Sequence, residues 1–352
     1  MDQIRTADQL IKEIAETYGT ELVMDKEKMD LELKKDSEAY QGLGIKILSI
    51  SGGFLGSLFF FAFIVMMFHN ASAMLLVFGL VAVVLAIMVD KRAKNITLDA
   101  ACLGGYLAGF GMIGYGTSTF NNENLTTFIL LLVALVTIVS TRAYVLNLFA
   151  IIAVNSCLYA FGNINDIPYF IHILLAINAV GFTLFSLMEA ELLADGFDSN
   201  VRYSPVHAGF LVSLLGILID LCFHISKSNG TNWISASIII FLILYFVHQL
   251  LISLQLKDKQ ILIYVLSLII LLPMIYAPAI CGAILILLIG FHTGRGLVLG
   301  VGVMAMLYFV GQFYYDLQYS LLVKSAMMFG TGILFLSARF ILIKQLKRYE
   351  QN

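Results

Sequence analysis

Ionisable side chains are rare inside the long apolar runs of this chain, so those that occur there are the first candidates for chemistry. The set is Asp220, His224, Asp316, Tyr315, Lys324 and Arg339. An ionised group at the centre of a bilayer costs about 2.5–3.5 kcal/mol on insertion scales, so each needs a partner, water or a proton. Asp220 and His224 are four residues apart, which puts them on one helix face where they can share a site. On a helix running from inside to outside, Asp220 lies about 21 Å from the inner edge, and its short side chain leans back into the bilayer. Lys324 lies about 6 Å below the outer boundary and leans outward, so it reaches a matching level with the opposite charge. Asp220 and Lys324 are therefore expected in one polar cluster, with His224, Asp316 or nearby tyrosines completing it. An interfacial, snorkelling role for Lys324 and Arg339 stays open, as does a shorter span that leaves Asp220 near the surface.

Other polar groups read as structural. His172 and His248 are single histidines on apolar helices and fit hydrogen-bonded packing. Asn155 and Asn178 fall well inside neighbouring antiparallel spans, where their side chains can bond across the interface. The acidic loop 189–205 carries four carboxylates and reads as a solvated loop. There is no phosphate-binding loop, no GxSxG turn, no HExxH and no acidic metal motif, so no cofactor or metal site is expected and no enzyme is favoured, with an intramembrane transferase left open as a third reading. Cys102, Cys157, Cys222 and Cys281 all sit in apolar runs without a ligand spacing and read as small buried hydrophobes.

The elements that must position these residues follow from composition. Of 352 residues, 60% are hydrophobic and 12% charged, about half the charge of a soluble domain. Mean hydropathy is +0.92. A chain this apolar needs lipid as its solvent. A net charge of −2 gives no electrostatic case for nucleic acid. The fold class is all-α: a polytopic transmembrane bundle of about twelve spans, behind a short cytoplasmic helical segment. At 1.5 Å rise per residue, a span needs about 20 apolar residues. Twelve such runs occur: Ile45–Phe68, Ala71–Val89, Leu98–Gly116, Leu125–Ser140, Ala143–Phe161, Ile167–Met188, Val206–Ile225, Ile234–Leu254, Ile261–Tyr276, Ala279–Phe291, Leu297–Phe313 and Ser320–Ile343. Pro273 and Pro278 mark either a tight hairpin or a broken re-entrant pair.

Residues 1–42 form a polar appendage with 11 acidic and 6 basic residues, whose Leu10, Ile11, Ile14, Ala15 and Tyr18 share a helix face. It lacks the basic and apolar regions of a signal peptide. The bundle covers 43–343 and a short tail 344–352. With the N-terminus inside, 18 of the 21 Lys and Arg lie on inner segments, one (Lys227) lies outside, and Lys324 and Arg339 fall within the last span. That asymmetry places both termini in the cytoplasm. The pairs Gly52/Gly56, Gly105/Gly109 and Gly296/Gly300 are spaced for close helix contact.

The stretch from Gly294 to Leu342 carries a glycine-rich helix, then Phe313, Tyr314, Tyr315 and Leu317, then Leu321, Leu322, Lys324 and Ser325, then Gly330 and Arg339. It resembles the C-terminal pattern of an uncharacterised family of bacterial multi-pass inner-membrane proteins. The approach to the first span, YQGLGIKILSISGGFLGSLFF, is similar to the same region of that family. Together the matches cover about 70 residues. The resemblance implies a cytoplasmic-membrane location in a bacterium. It also implies association with a small membrane-anchored protein bearing a GDYxxLxY-type motif, and it brings no activity. It adds weight to Tyr315, Lys324 and Arg339. Two functions fit: a transporter or channel for a small solute or ion, using the polar cluster, or an envelope scaffold that holds a partner. The first should show a polar cavity or discontinuous helices, the second an exposed apolar groove lined by small residues.

Overall fold

The computed structural model describes residue 48, residues 51–68, 71–90, 96–141, 143–188, 203–223, 231–253 and 260–316, and scattered positions between 322 and 337. The appendage 1–42 and the tail lie outside the described residues. Among those described, the secondary structure is helical, with no strand.

In chain order the helices are α1 (Ser51–Phe68), α2 (Ser72–Asp90), α3 (Ile96–Ser118), α4 (Glu123–Ser140), α5 (Tyr144–Ile164), α6 (Phe170–Leu187), α7 (Ser204–Phe223), α8 (Asn232–Ser253), α9 (Gln260–Leu271), α10 (Pro278–Thr293) and α11 (Gly296–Asp316). A 3-10 turn, Leu272–Tyr276, joins α9 to α10. Eight of the described helices are long and apolar enough to cross a membrane. Each helix coincides with one of the apolar runs to within a few residues, because every backbone group in lipid must be bonded within its own segment. Large side chains such as Phe59, Val139, Phe241 and Leu307 are mostly exposed, which only an apolar solvent tolerates.

The chain divides into two compact units: Met1–Thr126 with Val139–Leu146, and Thr127–Ile138 with Asn147–Asn352. In the first, α2 and α3 pack along their lengths and cross at Gly79 and Gly109. A Cβ on Gly79 would stand 2.8 Å from the Gly109 carbonyl oxygen, and one on Gly109 would stand 2.8 Å from the Gly79 oxygen. Backbone therefore meets backbone, which only glycine permits. Gly104 likewise abuts the Gly53 carbonyl on α1.

Four-residue spacing alone does not make a contact. A Cβ added at Gly52, Gly56, Gly296 or Gly300 would meet none of the described atoms within 4 Å, and one at Gly105 would meet only the Ala86 methyl, at 3.8 Å. Four-residue spacing marks a groove; whether a neighbour fills it depends on the opposite helix. The contact at Gly109 is made because Gly79 faces it.

In the second unit α10 is the central helix, with ten of its 16 residues buried. It packs against α6, α7, α8 and α11. The core around it includes Leu175, Phe182, Leu214, Leu218, Ile243 and Phe309. At 16 residues α10 spans about 24 Å, short of a ~30 Å hydrocarbon core. The break before it falls at Pro273 and Pro278, as expected. Leu272–Tyr276 tightens into a 3-10 turn, and Ala277 (φ −127°, ψ 70°) leaves helical space. Pro278 then opens α10 at a position that needs no donor. α10 ends on Gly294 at φ 66°, a left-handed cap that a side chain would strain. The cysteines are buried, as expected.

Candidate functional site

The best-built polar site lies at one end of the second unit, where the C-terminal ends of α6 and α10 meet the start of α7. His207, in the first turn of α7, is 3% exposed. Its Nε2 faces the Ser186 hydroxyl on α6 at 2.9 Å, and its Nδ1 faces Arg295 Nη1 at 3.4 Å. Arg295 belongs to the α10–α11 turn. Guanidinium only donates, so His207 Nδ1 must accept. Nε2 then carries the ring proton and donates to Ser186 Oγ. Ser186 passes its own proton to the Phe182 carbonyl, 2.7 Å away. Every direction in the chain is thereby fixed.

Aromatic rings seal this network. His207 stacks on Tyr203 at 5.9 Å and lies 5.0 Å from Phe182. The guanidinium of Arg295 sits 5.4 Å over the Tyr203 ring. Tyr203 Oη donates to the Phe185 carbonyl at 2.6 Å. Three chain segments are locked together by one imidazole and one guanidinium.

At the same end, α6, α8 and α10 enclose a cavity of about 300 Å³. Leu184, Met188 and Phe246 give it apolar walls, and Tyr245, Gln249 and His292 give it polar ones. Gln249 Nε2 donates to Tyr245 Oη at 3.1 Å, and the His292 ring meets Phe246 edge-on at 5.4 Å.

Of the residues singled out from sequence, Asp220 lies on α7 about 20 Å from His207, by helical rise. It is partly exposed. Its carboxylate lies close enough to the Tyr159 hydroxyl on α5 to interact with it, and Asn163 lies near the same hydroxyl. Tyr315 is 81% exposed near the end of α11, with its ring 6.3 Å from Tyr314. Asp316 closes α11, with its side chain outside the described residues. His224, Lys324 and Arg339 also lie outside them.

The structural readings of Asn155, Asn178, His172 and His248 hold, while most of the acidic loop 189–205 lies outside the described residues. Asn178 donates to Asn155 at 2.8 Å across α5 and α6. Buried His172 bonds Ser235 at 2.5 Å and Thr231 at 3.3 Å, joining α6 to α8. His248 bonds the Tyr264 hydroxyl at 2.6 Å. Among the described residues no group of His, Cys, Asp and Glu could hold a metal ion.

Sequence reasoning missed His207, Ser186, Tyr203 and the role of Arg295. Arg295 counted only as an inner charge. The Arg295–His207 contact spans 88 residues, and nothing local announces it.

No curated protein and no solved structure matches the chain. The model of a domain of unknown function, DUF4401, matches residues 43–345, which takes in all the described helices. The chain therefore belongs to the DUF4401 family, and it is an integral membrane protein whose helices are long and apolar enough for several crossings.

Proposed function

We propose that this protein crosses a bacterial cytoplasmic membrane twelve times, with both termini inside, and moves a small solute. The observation that carries the transport reading is the half-polar cavity lined by Tyr245, Gln249 and His292. It opens where three helices end, beside the Arg295–His207 lock. The positive-inside pattern puts that end on the cytoplasmic face. The 3-10 turn Leu272–Tyr276 and the short helix α10 both pack next to α8. Asp220, with Tyr159 and the proposed partner Lys324, would form the polar group at the other end of the path.

A second reading, a scaffold, is favoured by one observation. An open apolar groove of about 520 Å³ runs between α7 and α11, lined by Leu215, Ile219, Gly296, Gly300 and Met304 among others. Its glycines would let the single helix of a small membrane-anchored protein approach closely.

The two readings separate in proteoliposomes. Electrical recording on a solid-supported membrane, with concentration jumps of benzyltrimethylammonium, chloride and sodium salts, should give currents that protein-free liposomes lack and that Gln249→Leu abolishes. If none of these ions gives a protein-dependent current, the transport reading fails and the scaffold reading takes its place.

A further inference from the structure

The cavity at the ends of α6, α8 and α10 has a chemical bias that its volume alone does not convey. We propose that it binds an organic cation: an ammonium group on an apolar body. The inference rests on treating this cavity as the solute site, and it deepens that reading by naming a ligand class.

Four features point the same way. First, Leu184 and Met188 lie at the C-terminal end of α6, His292 lies in the last turn of α10, and Tyr245 to Leu250 lie in the C-terminal half of α8. A helix C-terminus carries about half a negative charge in its unbonded carbonyls. Neither α6 nor α8 has a basic residue in its last turn to neutralise it. Second, two aromatic rings, Tyr245 and Phe246, are on the wall. Ring faces attract cations, most strongly where water is excluded. Third, Gln249 gives its Nε2 to Tyr245 and so presents its carbonyl oxygen as an acceptor. Fourth, no Lys or Arg is among the described residues that line the cavity, and Arg295 lies instead over Tyr203 and against His207. The apolar wall of Leu184, Met188 and Phe246 excludes a bare hydrated ion but suits a hydrocarbon body.

The test uses the full-length protein in detergent and three probes of similar shape: benzyltrimethylammonium, benzenesulfonate and benzyl alcohol. Binding is read by calorimetry and by the shift of the unfolding midpoint. The cation alone should bind at millimolar concentration and raise the midpoint. Gln249→Leu should weaken it roughly tenfold, the loss of about 1.4 kcal/mol. Because Gln249→Leu also changes packing, Gln249→Lys provides a charge test that does not depend on loss of folding. It should abolish cation binding and recruit benzenesulfonate. Equal binding of benzyl alcohol would overturn the proposal, by showing an apolar pocket without charge preference. Preference for benzenesulfonate by the unaltered protein would overturn it too, as would binding of none of the three. Cation binding without a current in proteoliposomes would leave the site standing and remove the transport reading instead.

Discussion

Asn178 on α6 uses both amide protons: one on Asn155 Oδ1 of α5 at 2.8 Å and one on the Leu174 carbonyl of its own helix at 2.8 Å. Asn178 is fully buried, and its own Oδ1 has no partner. A bond of this kind between spans contributes about 0.6 kcal/mol on average and up to about 1.7. Leucine at 178 would remove the orphan acceptor along with the bond, so Asn178→Leu should cost little. Asn155→Leu should cost more, because it leaves an Asn178 amide proton buried without an acceptor. In a double-mutant cycle read by unfolding in mixed detergent, the coupling should fall near 1 kcal/mol. Strict additivity would show that the bond carries no stability.

The fixed hydrogen-bond directions around His207 make a spectroscopic prediction. Nitrogen-15 spectra of histidine-labelled protein should show one imidazole locked with a protonated Nε2 and a bare Nδ1. Arg295→Met should release that lock and lower stability by about 1–3 kcal/mol, the usual cost of a buried group left unpaired. Arg295→Lys should not restore it, because an ammonium lacks the planar face that lies over Tyr203. A protonated Nδ1 in the unaltered protein would contradict the assigned chain of donors.

The glycines separate contact from groove. Gly79→Ala forces a methyl to within 2.8 Å of the Gly109 carbonyl, and the two helix backbones must part. A loss of about 1–3 kcal/mol and weakened α2–α3 association should follow. Gly300→Ala meets nothing within 4 Å and should leave stability unchanged within about 0.5 kcal/mol. If the scaffold reading holds, Gly300→Leu should nonetheless eject a bound helix, which co-purification from the native membrane would detect.

How much could be read beforehand depended on the range of the physics. Eight helices long and apolar enough to cross a membrane were legible, because a helix in lipid satisfies its backbone locally and about twenty apolar residues announce themselves. The Asn155–Asn178 bond was legible because both amides sit at similar depth on consecutive antiparallel helices. The break near Pro273 and Pro278 was legible as a break, but its 3-10 form was not. The His207 lock was not legible: its members lie 21 and 88 residues apart, and each alone resembles an end-of-helix polar residue. Tyr159 was missed as the Asp220 partner because a tyrosine in an apolar run is indistinguishable from packing until its hydroxyl is placed. Gly79 was missed because close approach needs a small residue on each helix, not two on one.

The proposed topology rests on the charge asymmetry, and labelling checks it. The native cysteines are buried, so they offer little background. Asn122→Cys, in the turn between α3 and α4, should react with an impermeant maleimide on intact cells. Ala93→Cys, flanked by Lys91, Arg92 and Lys94, should react only after permeabilisation. The opposite pattern would invert the assignment and move the cavity to the outer face.

The last prediction concerns Asp220. Its carboxylate lies within reach of the Tyr159 hydroxyl, and the charge partner we propose is Lys324, which the sequence leads us to expect at a similar depth on the last span. A neutral hydroxyl does not itself cancel the cost of an ionised carboxylate at membrane depth, whereas a lysine at that level would lower it. Two single variants and their combination separate the contributions. Tyr159→Phe removes the hydroxyl within reach of the carboxylate and should cost about 1.5–3 kcal/mol, the usual worth of a hydrogen bond to a charged group. Lys324→Met leaves the carboxylate without a counter-charge and should cost more than Tyr159→Phe. Adding Asp220→Asn to Lys324→Met should then recover part of the loss, because removing both charges leaves neither one unpaired. Folded yield and unfolding midpoint in detergent read all three. If Lys324→Met is silent and Asp220→Asn gives no recovery on that background, the pair does not exist. Lys324 is then an interfacial anchor, and Tyr159 with Asn163 is what holds Asp220.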